Sequence, residues 1–149
     1  MDESVEFSAR ASLVALGVHF QQLGIWSVVK AQVKIKQKIR QHRPLAKLLD
    51  CFINILAGGI GVVEINTRVR PDRALQRAFG RTTCADQATI SRTLDACTAD
   101  NIIQMRTALT VILRQYSQAY RHDYAQTCQV LDVDTVSYTH LTLPTKRIV

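Results

Sequence analysis

A chain of 149 residues with 47% hydrophobic and 21% charged content can bury a core as one domain, which excludes a disordered segment. Its 19 Lys and Arg against 12 Asp and Glu give +7, a balance that favours a polyanionic partner. No apolar run reaches transmembrane length and the first six residues are acidic rather than signal-like, so the expectation is a cytoplasmic protein with no membrane partner.

The pattern along the chain is mostly helical. Residues 8–23 place Ala9, Leu13, Leu16, Phe20 and Leu23 at spacings of three and four, a docking helix closed by Gly24. A second apolar stretch (Ile25, Trp26, Val28, Val29) leads into Val33-Lys34-Ile35-Lys36, whose alternation fits strand or helix equally. Pro44 suits the first turn of a core helix through Leu45, Leu48, Leu49, Phe52, Ile53 and Leu56, which Gly58-Gly59 ends. After Val62, Val63 and Ile65, Pro71-Asp72 starts a short helix over 73–79 that Gly80 stops. Another runs from Asp86 to about Cys97. Thr98 or Asp100 caps the last and longest helix, whose expected buried face carries Ile102, Ile103, Met105, Leu109, Ile112, Leu113, Tyr116 and Tyr120. From Gln126 to Val133 the period changes to that of a strand.

Charge is unevenly placed. Lys30, Lys34, Lys36, Lys38, Arg40 and Arg43 share one segment without an acid among them, and Arg68, Arg70, Arg73, Arg77 and Arg81 form a second cluster. Each alone reads equally well as a solvated face; together with the overall charge they favour phosphate contacts, and Lys34, Lys36, Lys38, Arg40, Arg77 and Arg81 are the candidates. Cys51, Cys84, Cys97 and Cys128 make no CxxC pair, which points to buried reduced thiols rather than a zinc site.

Residues 75–94 have the order of a helix-turn-helix: a short helix, a stop at Gly80, a polar turn and the helix Asp86-Gln-Ala-Thr-Ile-Ser-Arg-Thr-Leu94. Asp86 would be its N-cap, Ile90 and Leu94 would pack inward, and Gln87, Thr89, Ser91 and Arg92 would meet DNA. A plain structural helix pair is the competing reading. Near the C-terminus, Leu131-Asp132-Val133-Asp134 would put both carboxylates on one strand face, where their repulsion is relieved by a divalent cation such as Mg²⁺ or Mn²⁺. An edge strand with its polar face in water competes with that reading.

From Val136 the text Val-Ser-Tyr-Thr-His-Leu-Thr-Leu-Pro-Thr resembles the translation of a transposase-type sequencing-library adaptor, and residues 135–149 are expected to be non-native. Removing Lys146 and Arg147 with them leaves 17 basic against 12 acidic groups. The remaining chain resembles the N-terminal part of a bacterial insertion-sequence transposase of the DDE type over about residues 11–135. The resemblance rests on Gly-Val-Val-Glu-Ile-Asn (61–66), Arg-Pro-Asp-Arg-Ala-Leu (70–75), Phe79-Gly80, the Gln-Ala-Thr-Ile-Ser-Arg stretch and Val-Leu-Asp-Val-Asp-Thr (130–135).

That resemblance implies a mainly α fold: a helical DNA-binding region (1–125), then the first strand of a ribonuclease-H-like catalytic domain (126–134), left as an orphan strand here. It further implies double-stranded DNA at transposon ends as partner, and a metal-binding carboxylate at Asp134 or Asp132, with Asp134 favoured. In such enzymes two Mg²⁺ ions serve strand cleavage and strand transfer. The further Asp and Glu of the family site are missing, so this chain is expected to be inactive. A helix-turn-helix transcription regulator and a helical protein-interaction module are the alternatives, and a homodimer is compatible with each.

Overall fold

In the computed structural model, which describes residues 6–123 and 125, the chain is mainly helical and contains no strand among those residues. Its elements are α1 (Ala11–Gln22), α2 (Ile25–Gln32), α3 (Pro44–Leu56), a 3-10 turn (Val62–Glu64), α4 (Ile65–Arg68), α5 (Arg73–Ala78), α6 (Gln87–Asp95), α7 (Ala99–Tyr116) and α8 (Gln118–Arg121). Three pairings organise them: α1 lies on α5, α2 on α7, and α3 on α6. The expected strand over 126–134, with Asp132 and Asp134, lies outside the described residues.

Local chemistry explains the boundaries. Pro44 occupies the first turn of α3, where its missing N–H costs nothing. Asp72 caps α5 by accepting the Leu75 N–H at 2.9 Å, and Gly80 ends that segment at φ +72°, a conformation that costs glycine little. Thr98, rather than Asp100, is the N-cap of α7. Gly24, at φ +67°, joins α1 to α2 with a bend of 60°. No single helix among the described residues is long and apolar enough to cross a membrane.

The main core gathers Leu49 and Ile53 of α3, Val69, Leu75, Ala78 and Phe79, with Leu13, Val14 and Phe20 of α1 packed on it. Phe20 packs against it with ring centroids 5.7 Å from Phe52 and 5.8 Å from Phe79, a spacing at which aromatic pairs attract. α1 reaches α5 because Gly17 has no side chain: a Cβ there would lie 2.6 Å from the Phe79 ring. Trp26 bridges to a second cluster of Val29, Val33 and Ala108, which holds α7. A third, around Ile65, Ala85 and Ile90, seats α6.

Two expected faces are corrected. On α7 the buried residues are Asn101 and Ala108, with Met105 and Ile112 packed beside Ala108. Ile102, Ile103, Leu109, Leu113 and Tyr120 are instead more than half exposed. The cause is that α7 approaches α2 through a small residue and spends Asn101 on a backbone hydrogen bond. On α6, Ile90 is buried as expected, but Thr93 takes the second inward position and Leu94 is exposed. Thr93 satisfies its hydroxyl there with Gln37 and Thr89.

Residues 33–43 are neither helix nor strand. They run as an extended strap in which Val33 is buried, Ile35 and Gln37 are half-buried, and Lys34, Lys36 and Lys38 are exposed. The alternation is that of extended backbone. Polar side chains replace the missing ladder. Gln104 of α7 accepts the Lys34 N–H at 2.8 Å, and Asn101 donates to the Lys34 carbonyl at 3.0 Å.

Candidate nucleic-acid interface

The strap is the element that exposes the first basic cluster. Pinned by α7 at Lys34, it is pinned again at Gln37, whose Oε1 accepts from Thr93 at 2.8 Å and from Lys47 Nζ at 3.0 Å, and whose Nε2 donates to the Arg92 carbonyl at 3.2 Å. Inward side chains are thereby used for attachment, and the cationic ones remain in solvent.

Beyond Gln37 the strap forms one wall of a cleft of about 330 Å³. Lys38, Arg40, Gln41 and His42 line it from the strap, Lys47 from α3, and Asp86, Thr89 and Arg92 from the α6 segment. Four lining cations thus face one carboxylate. That carboxylate is engaged: Asp86 accepts the Thr89 N–H at 2.9 Å and the Thr89 hydroxyl at 2.7 Å, hydrogen bonds that hold its pKa below the usual value. On the other side of the strap a larger groove of about 680 Å³ is lined by Lys30, Lys34, Lys36, Arg43 and Arg81 among others, with no acidic residue in its lining.

Burial in this region lowers the His42 pKa, and the neighbouring Arg81 charge lowers it further. Arg81 Nη2 lies 3.4 Å from His42 Nδ1. A guanidinium can only donate, so that nitrogen accepts and the ring is neutral in this arrangement.

The residues nominated from sequence separate into distinct environments. Lys38, Arg40, Thr89 and Arg92 come together at the cleft, and Lys34 and Lys36 line the adjoining groove. Gln87 is half-buried at the start of α6, its side-chain oxygen 3.4 Å from Asn66 Nδ2. Ser91 is half-buried on α6, and the Arg92 Nε donates to the Ala88 carbonyl at 3.1 Å. Arg77 lies apart on α5, two-thirds exposed, and pairs with Glu6 at 3.2 Å.

Arg81 is turned inward. Its Nε donates to Asp50 Oδ1 at 2.7 Å and its Nη2 to Asp50 Oδ2 at 3.1 Å, and Asp50 also accepts the Ala85 N–H at 2.9 Å. This ion pair clamps the turn before α6 onto α3, and a guanidinium so occupied has little left for a phosphate. The turn itself spans residues 79–86, longer than the three or four residues of a helix-turn-helix. α5 packs on α1 while α6 packs on α3, so these two helices do not form the mutually packed pair that the sequence order suggested.

Sequence reasoning passed over Gln37, His42 and Lys47. Lys47 had a signal: it and Asp50 are the charged residues within α3, an otherwise apolar helix. Asp132 and Asp134 lie outside the described residues. Among those residues no group of three or more His, Cys, Asp or Glu is gathered as a metal site. Comparison with protein-family models, with curated proteins and with solved structures returned no match for this chain.

Proposed function

We propose that the chain is the DNA-binding N-terminal part of a DDE transposase, with double-stranded DNA at transposon ends as its partner. The observation that carries this reading is convergence: Lys38 and Arg40 of the strap and Arg92 of α6, more than fifty residues apart in sequence, line one cleft. Rigid placement of several cations along one face is what neutralising a phosphate backbone requires. The reading needs α6 as a DNA-facing helix and does not need a packed helix-turn-helix. Metal chemistry at Asp134 and Asp132, with Mg²⁺ or Mn²⁺, belongs to the intact parent enzyme and rests on the sequence resemblance alone.

The test is equilibrium binding to duplex DNA at several salt concentrations. Replacing Lys34, Lys36 and Lys38 by Ala should weaken binding to all sequences and flatten the salt dependence by about 0.9 logarithmic units per lost contact. Replacing Gln87 should instead erode preference for terminal inverted-repeat sequence, at about 1–3 kcal/mol per lost base contact. Unchanged affinity in both sets would overturn the proposal. The helical protein-interaction module would then lead, a reading favoured by the exposed Ile102, Ile103, Leu109 and Leu113 on α7.

A further inference from the structure

Among the described residues three charged side chains are buried: Lys47, Asp50 and Asp72. Two of them are compensated. Asp50 holds Arg81 through both oxygens, and Asp72 accepts from Ser8 and Leu75 with Arg10 at 3.6 Å. Lys47, only 5% exposed, has no opposite charge within ion-pair distance among the described residues. Of the three donors on its ammonium, the structure assigns one, to the neutral Gln37 at 3.0 Å. An uncompensated buried charge is costly, and it normally acquires a counter-ion or loses its proton.

The surroundings of Lys47 define what that counter-ion is. It forms the floor of the cleft whose rim carries Lys38, Arg40 and Arg92. Burial and the Arg92 charge both lower the Lys47 pKa, outweighing the opposite effect of Asp86, whose oxygens are held by Thr89. The cavity greatly exceeds the roughly 30 Å³ that one water occupies in the liquid, so it has room for a polyatomic oxyanion. Three rim cations and a buried ammonium, against the one lining carboxylate of Asp86 that Thr89 engages, suit a tetrahedral anion accepting several charge-assisted hydrogen bonds.

We propose that this cleft is a phosphate-binding seat in which Lys47 supplies the buried charge and Arg92, with Lys38, closes over the anion. Its chemistry rests on the cleft alone. Assignment of the phosphate to a DNA backbone rests on the DNA-binding reading above, and free phosphate is the other source.

The experiment uses the full chain with inorganic phosphate and, separately, a short duplex, at constant ionic strength. Affinity is read by titration calorimetry and folding by circular dichroism. Phosphate should bind and raise the melting temperature of the wild type. Lys47→Met should fold and lose at least about tenfold in affinity for both phosphate and duplex, as expected for a charge-assisted hydrogen bond. Duplex binding that Lys47→Met leaves unchanged, without phosphate binding, would overturn the seat and leave the DNA reading intact. Lys47-dependent phosphate binding without duplex binding would support the seat, assign it to free phosphate and overturn the DNA reading. No binding of either overturns both. Should Lys47→Met fail to fold, Arg92→Gln, an exposed substitution, decides: the same loss of phosphate affinity supports the seat and an unchanged affinity overturns it.

Discussion

Asp50 and Arg81 show how little a residue's type says about its role. Both sequence clusters are arginine- or lysine-rich, yet Arg81 is engaged inside the protein by a carboxylate with no exposed surface, while Arg40 is exposed and lines the cleft. Removing one member of a buried pair strands the other. Arg81→Ala should therefore destabilise the chain by about 3–5 kcal/mol, measured by urea unfolding. Replacing Asp50 and Arg81 together by apolar residues of similar size should cost much less. A loss below about 1 kcal/mol for Arg81→Ala would show that the pair behaves as a surface salt bridge. Cys84 lies in the same region, and burial with the nearby Asp50 charge pushes its thiol up to about 12, so it remains protonated at neutral pH.

At the scale of elements, caps and special residues were the reliable signals. Pro44, Asp72 and Asp86 each start the helix that the sequence assigned to them, and Thr98 is one of the two caps it offered for α7, because their effect is local to one turn. For α6 this gives a pH prediction. The Asp86 pKa in the folded protein is depressed by the Thr89 hydrogen bonds below its ordinary value of 3.8. The stabilisation is therefore complete above that ordinary value and is lost as pH falls through the lower folded value. Asp86→Ala should cost about 1 kcal/mol at neutral pH, and the gap from the wild type should close on acidification. Thermal melts of both proteins from neutral pH to below 3 check this, and a constant gap would separate the cap from the carboxylate's charge. Faces were less legible than ends. An apolar stripe on α7 could not reveal that Ala108 and Asn101 make the contact, because contact depends on how closely a partner helix approaches.

For the whole molecule, the described residues form the DNA-facing part of the proposal, whereas its metal part depends on Asp132 and Asp134 outside them. In a chain carrying a complete catalytic domain, Mg²⁺ should raise the melting temperature and Asp134→Ala should abolish that rise, since a ligand that binds only the folded state stabilises it. An equal response in both proteins would remove Asp134 from the metal site. The sequence by itself determined the mainly helical character, the starts of α3, α5 and α6 and the surplus of positive charge, all of which follow from short-range periodicity, caps and composition. It left residues 33–36 ambiguous, because the strap is held by hydrogen bonds with Asn101, Gln104 and Thr93, far along the chain. Only the tertiary structure decided which cations share a cleft, which one is tied to Asp50, and that Lys47 is buried with no ion-pair partner among the described residues. Pairing and burial are set by distances between segments remote in sequence, and no local pattern carries those distances.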